Sequence, residues 1–164
     1  MGKRRSERDA VSRSRFFLRQ AGELPYNAAD IAQREQQFEA CLEASILFGR
    51  AAIHRMHTAA SKKAKNNPRL KAEVKAWWES IREVPAIQFF REERDFILKE
   101  GPPKVGQAII LGPPPRKVEK LYYYESADEP ATETVERHLN TVEGIVADAE
   151  KRFGTSTLQG LWQD

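Results

Sequence analysis

Apolar residues recur along most of this chain in steps of three and four, the spacing of one helix face. Val11, Ser14, Phe17, Leu18 and Ala21 share one side of a helix predicted from about Ser6 to Gln20, which Gly22 and Pro25 end. Met1 to Arg5 before it read as disordered. A long second helix is predicted from about Ala28 to Lys65, with Asn27 as cap and Asp30 in an acidic first turn. Its stripe is Ile31, Phe38, Cys41, Leu42, Ser45, Gly49, Ala52, Met56 and Ala60, widened by Ile46, Phe48 and Ile53. So wide an apolar arc calls for more than one packing neighbour. The small residues at Ser45, Gly49 and Ala52 let another helix approach closely, at some cost in helix propensity at Gly49.

Asn67-Pro68 starts a third helix, an Asn cap followed by proline at the first helical position. It carries Leu70, Val74, Trp77, Ile81 and Val84, and Pro85 closes or kinks it. A fourth helix is predicted from about Ala86 to Glu100, stopped by Gly101-Pro102-Pro103. Between Lys104 and Tyr124 the pattern changes. Ala108 to Leu111 and Val118 to Tyr124 read as two short strands around Gly112-Pro113-Pro114-Pro115. After Pro130 a last helix, about Thr132 to Phe153, carries Val135, Leu139, Val142, Val146, Ala149 and Phe153, and Leu158, Leu161 and Trp162 in the tail are placed to dock back. The predicted fold is therefore mostly α: a single-domain, up-down bundle of about five helices across residues 1–164, with a short β-hairpin-like insertion at 104–124.

Composition changes this picture little. The chain is 40% hydrophobic and 31% charged, within the globular range. Its one cysteine, Cys41, forms no internal disulfide and suits a reducing, cytoplasmic compartment. No apolar run reaches the roughly 18 residues of a membrane span, and the basic N-terminus lacks the apolar core of a secretory signal. The net charge of +3 hides an asymmetry. Residues 2–19 hold seven basic side chains against Glu7 and Asp9, and residues 62–75 hold six against Glu73. Residues 125–164 hold nine acidic groups against Arg137, Lys151 and Arg152. Such runs are either solvated helix faces or a surface that draws phosphates to one end and repels them at the other.

One position breaks its pattern. On the helix Ala86–Glu100, Ile87, Phe90, Ile97 and Leu98 form one stripe, and Arg94 falls in the middle of it, with Arg91 at the edge and Asp95 and Lys99 on the flank. A guanidinium aimed at a core needs a partner. Two readings follow: an internal ion pair with a carboxylate on another helix, or an anion site, since the planar fork of donors suits phosphate oxygens.

Around this position the chain resembles the HEPN domains. Many of these carry Arg-Asn followed after three residues by His, on a helix that ends in a Glu-Gly turn. Here Arg94-Asp95, Lys99 and Glu100-Gly101 occupy the matching places, preceded by Trp78, Pro85 and Phe90-Arg91-Glu92. The resemblance covers about residues 28–101. It implies a helical bundle, a homodimer, and an association with RNA or nucleotides in a toxin–antitoxin or defence setting. In the family's ribonucleases, the resemblance implies, Arg and His act on the RNA backbone. This chain has Asp95 for the Asn and Lys99 for the His, and lysine is a poor acid–base group near neutral pH. The implied protein is a catalytically degenerate HEPN-like one. Arg94, Asp95 and Lys99 are what remains of its catalytic motif. Arg91, Arg94, Lys62, Lys63 and Lys65 are the candidates for phosphate contact. The other reading is a non-enzymatic, homodimeric module for binding proteins, which the small stripe at Ser45, Gly49 and Ala52 favours.

Other features carry less. His54 and His57 have metal-compatible spacing, but no carboxylate completes the set, and both read as exposed helix histidines. Cys41 lies on an apolar stripe with no activating base. Trp78 suits either an interface or a neighbouring helix. Tyr122-Tyr123-Tyr124 reads as a strand packed on the bundle. No Gly-rich phosphate loop or dinucleotide fingerprint is present, so no cofactor and no metal are expected.

Overall fold

A computed structural model of the protein describes residues 7–23, 31–103, 105–111, 118–124 and 129–154. It is a mostly α bundle with a two-stranded hairpin: α1 (Glu7–Glu23), α2 (Ile31–Lys63), α3 (Pro68–Ile81), α4 (Pro85–Glu100), β1 (Val105–Leu111), β2 (Val118–Tyr124) and α5 (Ala131–Phe153). The expected cap at Asn27 and Asp30, the disordered start and the docking tail lie outside the described residues. Helix α1 runs past Gln20 to Glu23, because Ala21 is buried and its packing holds the last turn.

The α3 start forms as read. Asn67 is extended (φ −127°, ψ 101°) and its side chain accepts the Leu70 N–H at 3.1 Å, with Pro68 following. Pro85 does not close or kink that helix. α3 ends at Ile81, and Pro85 opens α4, where its missing N–H costs nothing. Gly101 (φ +115°) stops α4 in a conformation open to glycine. The strands pair antiparallel from Val105↔Tyr124 to Leu111↔Val118. β1 thus starts three residues before Ala108, since Val105, Gly106 and Gln107 pair with the tyrosine end of β2.

α2 is the central helix, with α1, α3, α4 and α5 all packed on it. Phe38, Leu42, Ser45, Ile46, Ala52, Ile53, Met56 and Ala60 are buried. The small stripe is used inside the chain. The Ser14 hydroxyl donates to the Ser45 carbonyl at 2.8 Å and lies 3.1 Å from its hydroxyl. Gly49 receives the Phe90 ring so closely that a Cβ there would lie 2.7 Å from Cδ1 and 2.8 Å from Cζ. The stripe therefore no longer argues for a second copy of the chain. All six predicted α5 stripe residues are buried. Trp77 donates its indole N–H to Asp148 at 3.2 Å and meets Phe153 edge to face. The hairpin docks through Tyr122, stacked on Phe38 at 3.9 Å, and buried Tyr124, edge-on to Phe89.

Part of the charge asymmetry is internal. Arg8 pairs with Glu150, and Arg15 pairs with Glu136 at 3.0 Å and Glu143 at 2.7 Å. Lower α1 numbers meet higher α5 numbers, so the two helices run in opposite directions. Two basic residues of the first segment and three acidic residues of the last thus meet across this seam.

Two outcomes test this packing. Gly49→Ala gains about 1 kcal/mol of helix propensity but loses about 1–3 kcal/mol to overpacking against Phe90, so urea melts should show net destabilisation. Adding Phe90→Leu should restore part of the loss beyond additivity; strictly additive effects would remove the contact from the account. At the α1–α5 seam, Arg15 hydrogen bonding and charge hold the Glu143 carboxyl below its ordinary range. A depressed carboxylate stabilises above its unfolded pKa of about 4.3 and loses that contribution as pH falls through the folded value. Arg15→Met should lower stability at pH 7 by no more than about 1 kcal/mol for these solvent-screened pairs, with the difference from the parent shrinking as the pH drops below about 4.

Candidate anion-binding site

The Arg94 guanidinium is not in the core. Its side chain is 45% exposed and its Nη1 donates to Asp95 at 2.6 Å, a partner on its own helix. Of the two readings of Arg94, the ion pair to another helix is not found among the described residues. The cause lies in α4 itself: Ala86, Ile87 and Phe90 are buried, but Leu98 is 60% exposed. Ile97, further along the stripe, still packs on the core partly buried, while Arg94 and Leu98 lie at its exposed margin.

What surrounds Arg94 follows from the contact at Gly49. Phe90 seats against Gly49, and the residue that follows each of them in sequence carries a guanidinium. Those residues are Arg50 and Arg91. Arg94 follows Arg91 by one turn, and Lys99 follows Asp95 by one turn. Arg50 is partly buried, and its pKa is lowered first by that burial and then by the charges of Arg94 and Arg91, with Asp95 opposing. Asp95 is held below the usual carboxylate range by its hydrogen bond from Arg94, with the charges of Arg94, Lys99 and Arg50 contributing. The structure therefore gathers Arg91, Arg94, Asp95 and Lys99 as the sequence suggests, and adds Arg50, which the sequence reading missed. The available signal was its place directly after the smallest residue of the α2 stripe.

The same face continues along α2. His54 follows Arg50 by one turn and is exposed. His57 is not an exposed histidine: it stacks on Trp78 of α3 at 4.1 Å, and its pKa is lowered by burial and by the charges of His54 and Arg50. Trp78 thus covers a neighbouring helix. His138 is also partly buried, stacked on Phe89 at 4.4 Å.

Lys62, Lys63 and Lys65 do not join this cluster. Lys62 lies twelve residues beyond Arg50, about 18 Å along a helix. Lys62 and Lys63 occupy the last turn of α2, where cations complement the helix dipole. Burial raises the Cys41 pKa, away from an activated thiolate. No group of three metal-compatible side chains occurs among the described residues. A cavity of about 180 Å³ beside Arg8, Val11, Glu143, Val146 and Ala147 is smaller than the roughly 300 Å³ at which small-molecule pockets begin. The chemistry of the α2–α4 face is that of an open cationic surface. Its guanidiniums present donor forks for phosphate oxygens, and none of them exchanges a proton near neutral pH.

The geometry around His57 gives a direct check. In an NMR titration of the imidazole protons, His57 should titrate below the ordinary histidine value of about 6.5, and its midpoint should rise in Arg50→Gln as one repelling charge is removed. A midpoint that ignores Arg50→Gln would separate the histidine from the arginine cluster.

No family model, no curated protein and no solved structure matches this chain, so its functional reading rests on the residues of this face.

Proposed function

We propose that the protein is a HEPN-like helical protein of the cytoplasm that binds the phosphate backbone of RNA and does not cleave it. The observation that carries this reading is the nearness of Arg50 on α2 to Arg94 and Arg91 on α4, whose charges bear on it, with Arg94 and Arg91 exposed. Two further features support it. The motif that resembles the HEPN family lies on this face, through Arg94, Asp95 and Lys99. Its changed residues also disfavour catalysis: Asp95 is engaged by Arg94 and kept ionised, and a lysine stands where the family motif has a histidine.

A second reading, a non-enzymatic module that binds another protein or a second copy of itself, is favoured by the exposed Phe16, Leu47 and Leu98. Sedimentation separates the two. A dimer indifferent to RNA supports the module, and a species that binds RNA at low salt supports the proposal.

The primary test is binding of a single-stranded RNA across a salt series. Each phosphate contact contributes a slope of about −0.7 in log K against log salt, so Arg94→Ala should weaken binding and flatten the slope by about that amount. Charge reversal at Lys62, Lys63 and Lys65 should weaken long strands more than short ones. The parent should leave the RNA intact, and Lys99→His is the variant in which cleavage would reappear. Robust cleavage by the parent that vanishes in Arg94→Ala would overturn the assignment as a non-cleaving protein.

A further inference from the structure

The two adjacent tryptophans of α3 are put to different uses. Trp77 is buried, with its indole N–H on Asp148 at 3.2 Å. Trp78 is only partly buried, and its ring stacks on His57 of α2 at 4.1 Å and 24°. That stack fixes which stripes of the two helices lie side by side. On α3, Lys71, Lys75 and Trp78 recur at steps of four and three, and both lysines are exposed. Lys71 to Lys75 spans about 6 Å of the axis, and Trp78 follows within one more turn. On α2, His54 and Ser61 flank His57 at the same steps, and both are exposed.

The charge around this ring is of one sign. Between Lys62 and Trp78 the one carboxylate in the sequence is Glu73, and it pairs with Arg69 at 3.2 Å. Glu79, just beyond, pairs with Arg82 at 2.9 Å. Arginines thus take both acids, while Lys62, Lys63, Lys65, Lys71 and Lys75 are all exposed. The connection between α2 and α3 keeps these lysines together. The Lys65 N–H donates to the Lys62 carbonyl at 3.2 Å, and the Asn67 N–H donates to the Ala64 carbonyl at 3.0 Å.

A cationic stripe that ends on an aromatic ring suits an unpaired nucleotide strand: the charges follow the phosphates and the ring stacks a base. Resting on the RNA-binding reading above, we infer that the α2–α3 face formed by Lys71, Lys75 and Trp78 is a second contact surface, which takes single-stranded nucleic acid with the lysines on its phosphates and Trp78 stacked on a base. Trp78 makes this surface sensitive to the bases, which a purely cationic surface would ignore. His57 acts through it, as a positioning residue that holds the ring at the seam.

The test compares a ten-nucleotide oligouridylate with an abasic ribose–phosphate strand carrying the same number of phosphates, by fluorescence anisotropy at fixed ionic strength. The parent should bind the oligouridylate about tenfold tighter, the contribution of one stacked base. Trp78→Leu should bring the two strands to within about twofold of each other. Trp78→Phe, which keeps a smaller ring, should leave an intermediate preference and serves if Trp78→Leu fails to fold. Lys71→Gln and Lys75→Gln together, both at exposed positions, should flatten the salt slope for either strand by about 0.7 for each lysine.

Equal binding of the two strands by the parent would overturn the inference and leave the phosphate-backbone reading standing. A preference unchanged in the Trp78 variants, or a salt slope unchanged in the lysine variant, would overturn it as well. If the preference depends on Trp78 while Arg94→Ala leaves binding unaltered, the inference holds and the α2–α4 face loses its role. Binding of neither strand would end both.

Discussion

The Phe90 ring seated against Gly49 is the contact on which the arrangement of the rest depends. A helix pair that meets over a glycine packs its backbones closer than one that meets over larger side chains. Arg50 and Arg91 directly follow Gly49 and Phe90 in sequence, so this contact also holds the two helices that carry them. The same ring system anchors the other elements, since Phe89 beside it touches Tyr124 of the hairpin and His138 of α5. A shift at Gly49 would be felt both in the packing of the hairpin and in the spacing of the arginines.

Charge elsewhere on the molecule explains why this face stands out. The chain is rich in arginine, yet Arg8 and Arg15 are matched by α5 carboxylates, Arg137 by Glu129, Arg152 by Asp148 and Arg69 by Glu73. Arg13 lies over the Phe48 ring, where its charge meets the negative face of the π system. Against so much local pairing, Arg50 is conspicuous because its charged neighbours are mainly other arginines. Surface ion pairs contribute little to stability individually, but here they decide which cations remain available to a ligand.

The fold was legible where periodicity alone decides it. The α5 stripe, the Asn67-Pro68 start and the Gly101 stop all follow from local spacing and capping, which need no knowledge of neighbours. Arg94 was misread for the opposite reason. A helical wheel says which residues share a face, but it does not say how wide an arc of that face the neighbouring helices cover. Ile97 of the stripe packs on the core, while Arg94 and Leu98 stay exposed. Arg50 was missed because its position is set by a ring on another helix. The opposite charges of the two chain ends were plain in the sequence, but their mutual pairing required the antiparallel packing of α1 on α5.

On the phosphate-binding reading, the changes that would disable cleavage also suit the face to holding its ligand. Acid–base catalysis needs a group whose proton is exchangeable near neutral pH. A guanidinium does not provide one, and Asp95 is tied to Arg94 with its ionised form favoured. His57 is the titratable group best placed in the cluster, yet its stacking on Trp78 and the nearby Arg50 favour its neutral form. Its ring is committed to packing between α2 and α3. What remains is a set of fixed positive charges, one paired with Asp95 and one loosely with Glu92. Such a set binds phosphate by charge and donor geometry, and gains nothing from a transition state it has no acid or base to stabilise.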